Sequence, residues 1–209
     1  MNITLIFFLG LIVALIGVIP PGLLNMTAAK ISLKEGHSRG LVFSLGVCVI
    51  VLAQTYIAAI FARYLSNHQE VVDVLQRVAF VIFVLITIYF LFIAKSNTKQ
   101  QIEPKIKSKK SRFFQGMLLS SINMFPIPFQ AYMTITLASF DWLNFERISI
   151  ISYVAGAATG TFVTLYLYIF FFEKIKGKTF TSQKNMNYII GGITGVISIV
   201  TLFNIIKEM

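Results

Sequence analysis

Long apolar stretches alternate with short charged ones along the whole chain. Six runs carry no Asp, Glu, Lys or Arg: Ile3–Ala29, Gly40–Ala62, Val78–Ala94, Phe113–Phe140, Ile148–Phe172 and Asn185–Ile206. A membrane-crossing helix needs about 20 mostly apolar residues, so each run is a candidate span, the third being the shortest. The runs lack the period-two alternation of a barrel strand and are too long for one. The pattern therefore predicts an all-α fold, a polytopic membrane bundle of six transmembrane helices.

Composition sharpens this reading. Hydrophobic residues make up 56% of the 209 and charged residues only 12%, and mean hydropathy is +0.80. Soluble domains carry about 25% charged residues. The first run differs from a secretory signal in having no Lys or Arg ahead of it and in ending at Pro20-Pro21-Gly22, so it is expected to be retained. A single Cys48 inside an apolar run excludes an intramolecular disulfide framework, and packing is its expected role.

The net charge of +10 would point to nucleic acid in a soluble chain. Here the charge sits between apolar runs, with no nucleic-acid module, so no nucleic acid is expected and the lipid bilayer is the expected partner. Fourteen of the 18 Lys and Arg follow runs one, three and five: Lys30, Lys34 and Arg39; seven between Lys95 and Arg112; and Lys174, Lys176, Lys178 and Lys184. By the positive-inside rule these loops are cytoplasmic, and both termini lie outside a cytoplasmic (plasma) membrane. The linker 95–112 is expected to be a solvated basic loop at the inner surface. It separates a first half, 1–94, from a second, 113–209.

Two halves of three spans enter the membrane from opposite sides, so likeness between them would be an inverted repeat. Sliding by 106 residues sets Phe7-Phe8-Leu9-Gly10 on Phe113-Phe114-Gln115-Gly116 and Pro20 on Pro126; a slip of four more pairs Gly46 with Gly156. Each proline removes a donor and clashes with the preceding turn. Helices one and four should therefore break at Pro20-Pro21-Gly22 and at Pro126-Ile127-Pro128. Unsatisfied backbone groups are costly in lipid, so both breaks should face protein or a water-filled cavity.

Amides and hydroxyls cluster there: Asn25 and Thr27 after the first break, Asn123 before the second, Gln130 and Thr134 after it, and Gln54 with Thr55 in the second span. The candidate substrate-binding set is Pro20, Pro21, Gly22, Asn25, Gln54, Asn123, Pro126, Pro128 and Gln130. Half-helix N-termini near Gly22 and Pro128 favour a carboxylate, as in an amino acid or organic acid.

These residues resemble the lysine exporter (LysE) family of amino-acid exporters, small proteins of six hydrophobic segments. The family's proline-glycine motif in the first segment has its counterpart in Pro21-Gly22 with Asn25, and its asparagine-proline motif in Asn123 and Pro126. Gly36-His37-Ser38-Arg39-Gly40 followed by Gly46 resembles the family's entry into the second segment. Departures are Leu23 where many members continue with proline, and the absence of an acidic residue between Leu41 and Phe61. The resemblance implies a secondary transporter exporting amino acids or similar zwitterions.

No Asp or Glu lies well inside a run, which disfavours a carboxylate relay. His37 and His68 fall in loops on opposite faces without ligand spacing, so neither a metal nor a cofactor is expected. No nucleophile-base pattern points to an enzyme. Gly156 and Gly160 fit tight helix contact within the bundle. Tyr64, Trp142, Tyr168 and Tyr188 sit near run ends as interfacial anchors; Tyr56, Tyr132 and Tyr153 are candidates for a cavity lining. A homodimer is compatible with a bundle this small. The competing reading is a non-transporting scaffold or sensor subunit whose kinks serve packing only.

Overall fold

The computed structural model describes residues 2–20, 22–93 and 108–175, together with Tyr188, Gly192, Gly195, Ser198, Ile199, Leu202 and Ile206. Pro21, most of the basic linker and most of the sixth run lie outside these residues. Every regular element among them is a helix.

The first run becomes two helices. Helix α1 spans Ile3–Val18, capped by the Asn2 side chain, which accepts from the Thr4 amide at 3.0 Å. Helix α2 spans Leu23–Glu35, with Gly22 as its extended N-cap. The two meet at an angle of 81°, so the first run is not one straight span. Gly36 alone joins α2 to α3, His37–Leu65, at φ 91°, a left-handed backbone that side chains disfavour.

The third run gives α4, Gln69–Ile88, followed by a π-helical turn over Tyr89–Ile93. The fourth run also divides, into α5, Lys109–Ile122, and α6, Pro126–Ser139. Pro126 and Pro128 occupy the first turn of α6, where a missing N–H breaks no helical hydrogen bond. Helix α7 covers Arg147–Ile175.

By length and apolarity α3 and α7 can each cross a membrane, and α1 with α2 makes a third crossing if the bent pair is one span. At 29 residues each, α3 and α7 are roughly 43 Å long, more than the about 30 Å of hydrocarbon to be spanned. Their outward faces fit lipid. On α3, Leu45, Val49, Leu52, Tyr56 and Ile60 are all exposed at helical spacing, an apolar stripe that water would penalise.

The chain forms two compact units. One comprises residues 67–103 and 176–209. Within it a β-carbon on Gly195 would stand 3.5 Å from Thr87 Cγ2, so Gly195 lies against α4. The other comprises 1–66 and 104–175, and holds α1 to α3 and α5 to α7. In it α1 packs along α7, and α5 along α3, while α3 and α7 also touch.

Four glycines set the first two contacts. A β-carbon on Gly10 would run into the Tyr153 carbonyl, and one on Gly156 into the Phe7 carbonyl. In the same way Gly46 lies on the Phe113 carbonyl and Gly116 on that of Phe43. Both helix pairs approach backbone to backbone, which only glycine permits. Gly160 extends the α1 contact one turn further, against Leu11. The small-residue spacing on α7 thus serves contact within this unit.

Candidate functional site

Each broken helix leaves carbonyls that have lost their helical donors. At the first break, between Val18 and Leu23, the Asn25 side-chain amide donates to the Val18 and Pro20 carbonyls, the latter at 3.1 Å. The Ile19 carbonyl accepts from the Tyr168 hydroxyl at 2.8 Å, across from α7. At the second break, Gln54 Nε2 on α3 donates to the carbonyls of Ser120 at 3.0 Å and Asn123 at 2.9 Å. The two breaks are thus held alike. A polar side chain on the long helix of one half secures the broken helix of the other.

Tyr168 is a correction to the sequence expectation. Its position near a run end predicts an interfacial anchor, yet it is buried at 6% exposure with its hydroxyl on the broken backbone. Tyr153, fully buried, donates to Gln130 Oε1 at 2.7 Å. Tyr56 and Tyr132 point outward instead, at 45% and 66% exposure.

The breaks come within a side chain of each other. Phe129, in the first turn of α6, lays its ring where a β-carbon on Gly17 would sit, one residue before the end of α1. Of the candidate residues, Asn25, Gln54 and Gln130 are buried. Gly22, Asn123 and Pro126 are half-buried, and Pro20 and Pro128 are exposed. Pro21 lies outside the described residues. Gln54 and Asn123 are brought into contact, as are Asn25 and Pro20. Among the described residues no hydrogen bond joins these two groups.

Buried polar atoms without partners include neighbours of the second break. Gln54 Oε1, Thr55 Oγ1 and Ser120 Oγ are all buried and unbonded; Gln54 and Ser120 meet at the second break and Thr55 follows Gln54 on α3, while Asn144 Oδ1 is the other such atom among the described residues. Buried polar atoms are normally satisfied, so a group of orphans marks a place where a donor can be received. By contrast, Thr134, Thr159, Thr161 and Thr164 bond to their own helices.

Sequence reasoning missed one feature outright. Arg112, counted among the solvated basic residues of the linker, is 3% exposed and paired with Glu35, itself 9% exposed. Its Nε donates to Glu35 Oε2 at 2.9 Å, its Nη2 to Glu35 Oε1, and its Nη1 to Gln115 Oε1. His37, read from sequence as a plain loop residue, is the first residue of α3; its ring stacks on Phe170, and its Nδ1 shares a 2.7 Å hydrogen bond with Ser32 Oγ. The ends of α2 and α7 and the starts of α3 and α5 therefore meet in one polar layer. The signal lay in the sequence only as charges at run edges, where solvation is the ordinary expectation.

No family model, curated protein or solved structure matches this chain.

Proposed function

We propose that the protein is a secondary exporter of amino acids or similar small zwitterions, of the lysine exporter kind. In this reading six spans form two inverted repeats in the cytoplasmic membrane, with both termini outside. The observation that carries it is the exchange relation among contacts. Swapping α1 with α5, α2 with α6 and α3 with α7 turns the α1–α7 contact into the α5–α3 contact, and α2–α7 into α6–α3, although the α2–α3 contact has no like counterpart between α6 and α7. It also turns the Gly10–Gly156 crossing into Gly116–Gly46, the pairs that the sequence shift aligns. Two like halves in opposed orientation, with broken helices between them, are the general architecture of alternating access.

The substrate would lie at the two breaks. Gln54 Oε1, Thr55 Oγ1 and Ser120 Oγ are acceptors suited to an ammonium group. The first turn of α2, opening at Leu23 after the Gly22 N-cap, would offer amides and the positive dipole end to a carboxylate, while α6 would offer its dipole end alone, because Pro126 and Pro128 carry no N–H and the Ile127 and Phe129 amides are bonded to the Met124 and Phe125 carbonyls. Neutral partners without a fixed midplane charge suit a zwitterion better than an ion.

The test is efflux. Cells loaded with a panel of dipeptides, with and without the protein, are followed for amino acids appearing outside. Faster export of one or a few, lost on Asn123→Ala with the protein still in the membrane, is the expected result. Unchanged efflux across the panel would remove the exporter reading and leave a non-transporting membrane protein.

A further inference from the structure

The Glu35–Arg112 pair sits at one end of the larger unit, where α2 and α7 end and α3 and α5 begin. That end carries the basic loops, and so faces the cytoplasm by the positive-inside rule. The pair ties α2 of the first half to α5 of the second with two side-chain hydrogen bonds. Arg39, on α3, adds a 2.8 Å bond from Nη1 to the Glu35 carbonyl.

The opposite end is closed differently. Under the shift of 106 residues the counterpart of Arg112 is Ile6, and that of Glu35 is Asp141. Ile6 is fully buried in an apolar cluster with Val13, Leu137, Leu143 and Tyr153. Asp141 is exposed. Where Arg112 holds an ion pair at the basic end, its counterpart Ile6 thus packs in an apolar cluster, and the counterpart of Glu35 makes no part of that cluster.

A buried ion pair is a poor device for stability, because taking two charges from water offsets much of their attraction. It is a good device for a two-state contact. While paired the two charges offset each other; once pulled apart, each buried group loses that opposite charge, a cost that a new opposite charge can offset. A lone anion could satisfy Arg112 and a lone cation Glu35, but neither could satisfy both. A zwitterion can, its carboxylate taking the guanidinium and its ammonium the carboxylate, with no change of net charge.

Resting on the exporter reading, we propose that Glu35 and Arg112 form the cytoplasmic gate of the transport path, opened by a zwitterionic substrate that replaces each partner with its own opposite charge. The pair is then both the inner latch and the first recognition site, and it selects zwitterions over simple cations and anions.

The experiment reads water access rather than transport. Ser44, buried on α3 between the pair and Gln54, is replaced by Ser44→Cys in a Cys48→Ala background. The reporter is labelled with a membrane-impermeant methanethiosulfonate in inside-out vesicles. Glu35→Gln or Arg112→Gln should speed labelling about tenfold or more, and the exchanged pair Glu35→Arg with Arg112→Glu should restore slow labelling. In the parent protein a mixture of neutral L-amino acids should speed labelling, while propionate and ethylammonium should not. Labelling from the opposite face, in right-side-out vesicles, should not accelerate, which separates a gate from general loosening.

Unchanged labelling in both neutral variants overturns the latch. Equal acceleration by propionate or ethylammonium overturns zwitterion recognition. Should either single variant fail to insert, the exchanged pair and the ligand arm on the parent protein still decide. A protein that exports amino acids but shows no response at Ser44→Cys refutes the gate alone. One that responds to the charge changes but exports nothing refutes the exporter reading alone.

Discussion

Placing a methyl group on Gly10 drives it into the Tyr153 carbonyl, and placing one on Gly156 drives it into the Phe7 carbonyl. Both obstacles are helix backbone, which has no rotamer to yield. A carbon beside a carbonyl oxygen settles at about 3.3–3.6 Å, so the α1–α7 seam must open by roughly 1 Å, and contacts along its length weaken together. Overpacking of this kind costs about 1–3 kcal/mol. Each methyl opens the same seam in the same direction. The Gly10→Ala, Gly156→Ala double variant should therefore cost less than the sum of its singles, with a coupling on the order of 1 kcal/mol. Gly10→Ala with Gly116→Ala acts on separate helix pairs and should be close to additive. Gly22→Ala is the control. Among the described residues its β-carbon would meet the Pro20 oxygen alone, at 3.9 Å, from an ordinary backbone of φ −123°, so a change within about 0.5 kcal/mol is expected. Unfolding of the purified protein in mixed micelles with rising SDS, followed by circular dichroism, measures all of these. A Gly10→Ala variant as stable as the parent, or full additivity within the α1–α7 seam, would refute backbone contact through these glycines.

Other outcomes follow from the broken helices. Gln54→Leu removes the donor to two carbonyls, but the Ser120 carbonyl retains the Asn123 amide at 3.1 Å; the loss should thus be about 1–3 kcal/mol, the cost of one orphaned acceptor rather than two, by the same unfolding assay. Tyr168→Phe, which frees the Ile19 carbonyl, should cost about 0.5–1.5 kcal/mol. Gln130→Leu strands the buried Tyr153 hydroxyl and should cost about 1–3 kcal/mol, and adding Tyr153→Phe should recover part of it, which a double-mutant cycle tests. Pro126→Ala should sharply reduce amino-acid efflux while the protein stays in the membrane fraction; unaltered efflux would mean that the second break is not needed for transport.

The helices and their breaks were legible because both follow from local chemistry. Apolar runs free of charge have to be helical in lipid, and a proline within such a run ends one helix or opens the next. Gly10 with Gly116 and Gly46 with Gly156 were legible as correspondences between halves. Their role was not, since a glycine does not reveal which backbone it faces. What holds the breaks was hidden for the same reason: Tyr168 is 149 residues from the Ile19 carbonyl it bonds, and Gln54 is 69 from Asn123. The deepest miss, Glu35 with Arg112, spans 77 residues and lies at run edges. Charge at the margin of an apolar run is ordinarily solvated, and only the meeting of α2 with α5 buries it. In the proposed arrangement, two like halves related by inversion would make a bundle whose ends are alike, and a transporter with identical ends has no built-in means of treating its two faces differently. The difference has to come from residues that break the likeness. They are found by asking where the aligned halves disagree, as Arg112 does against Ile6.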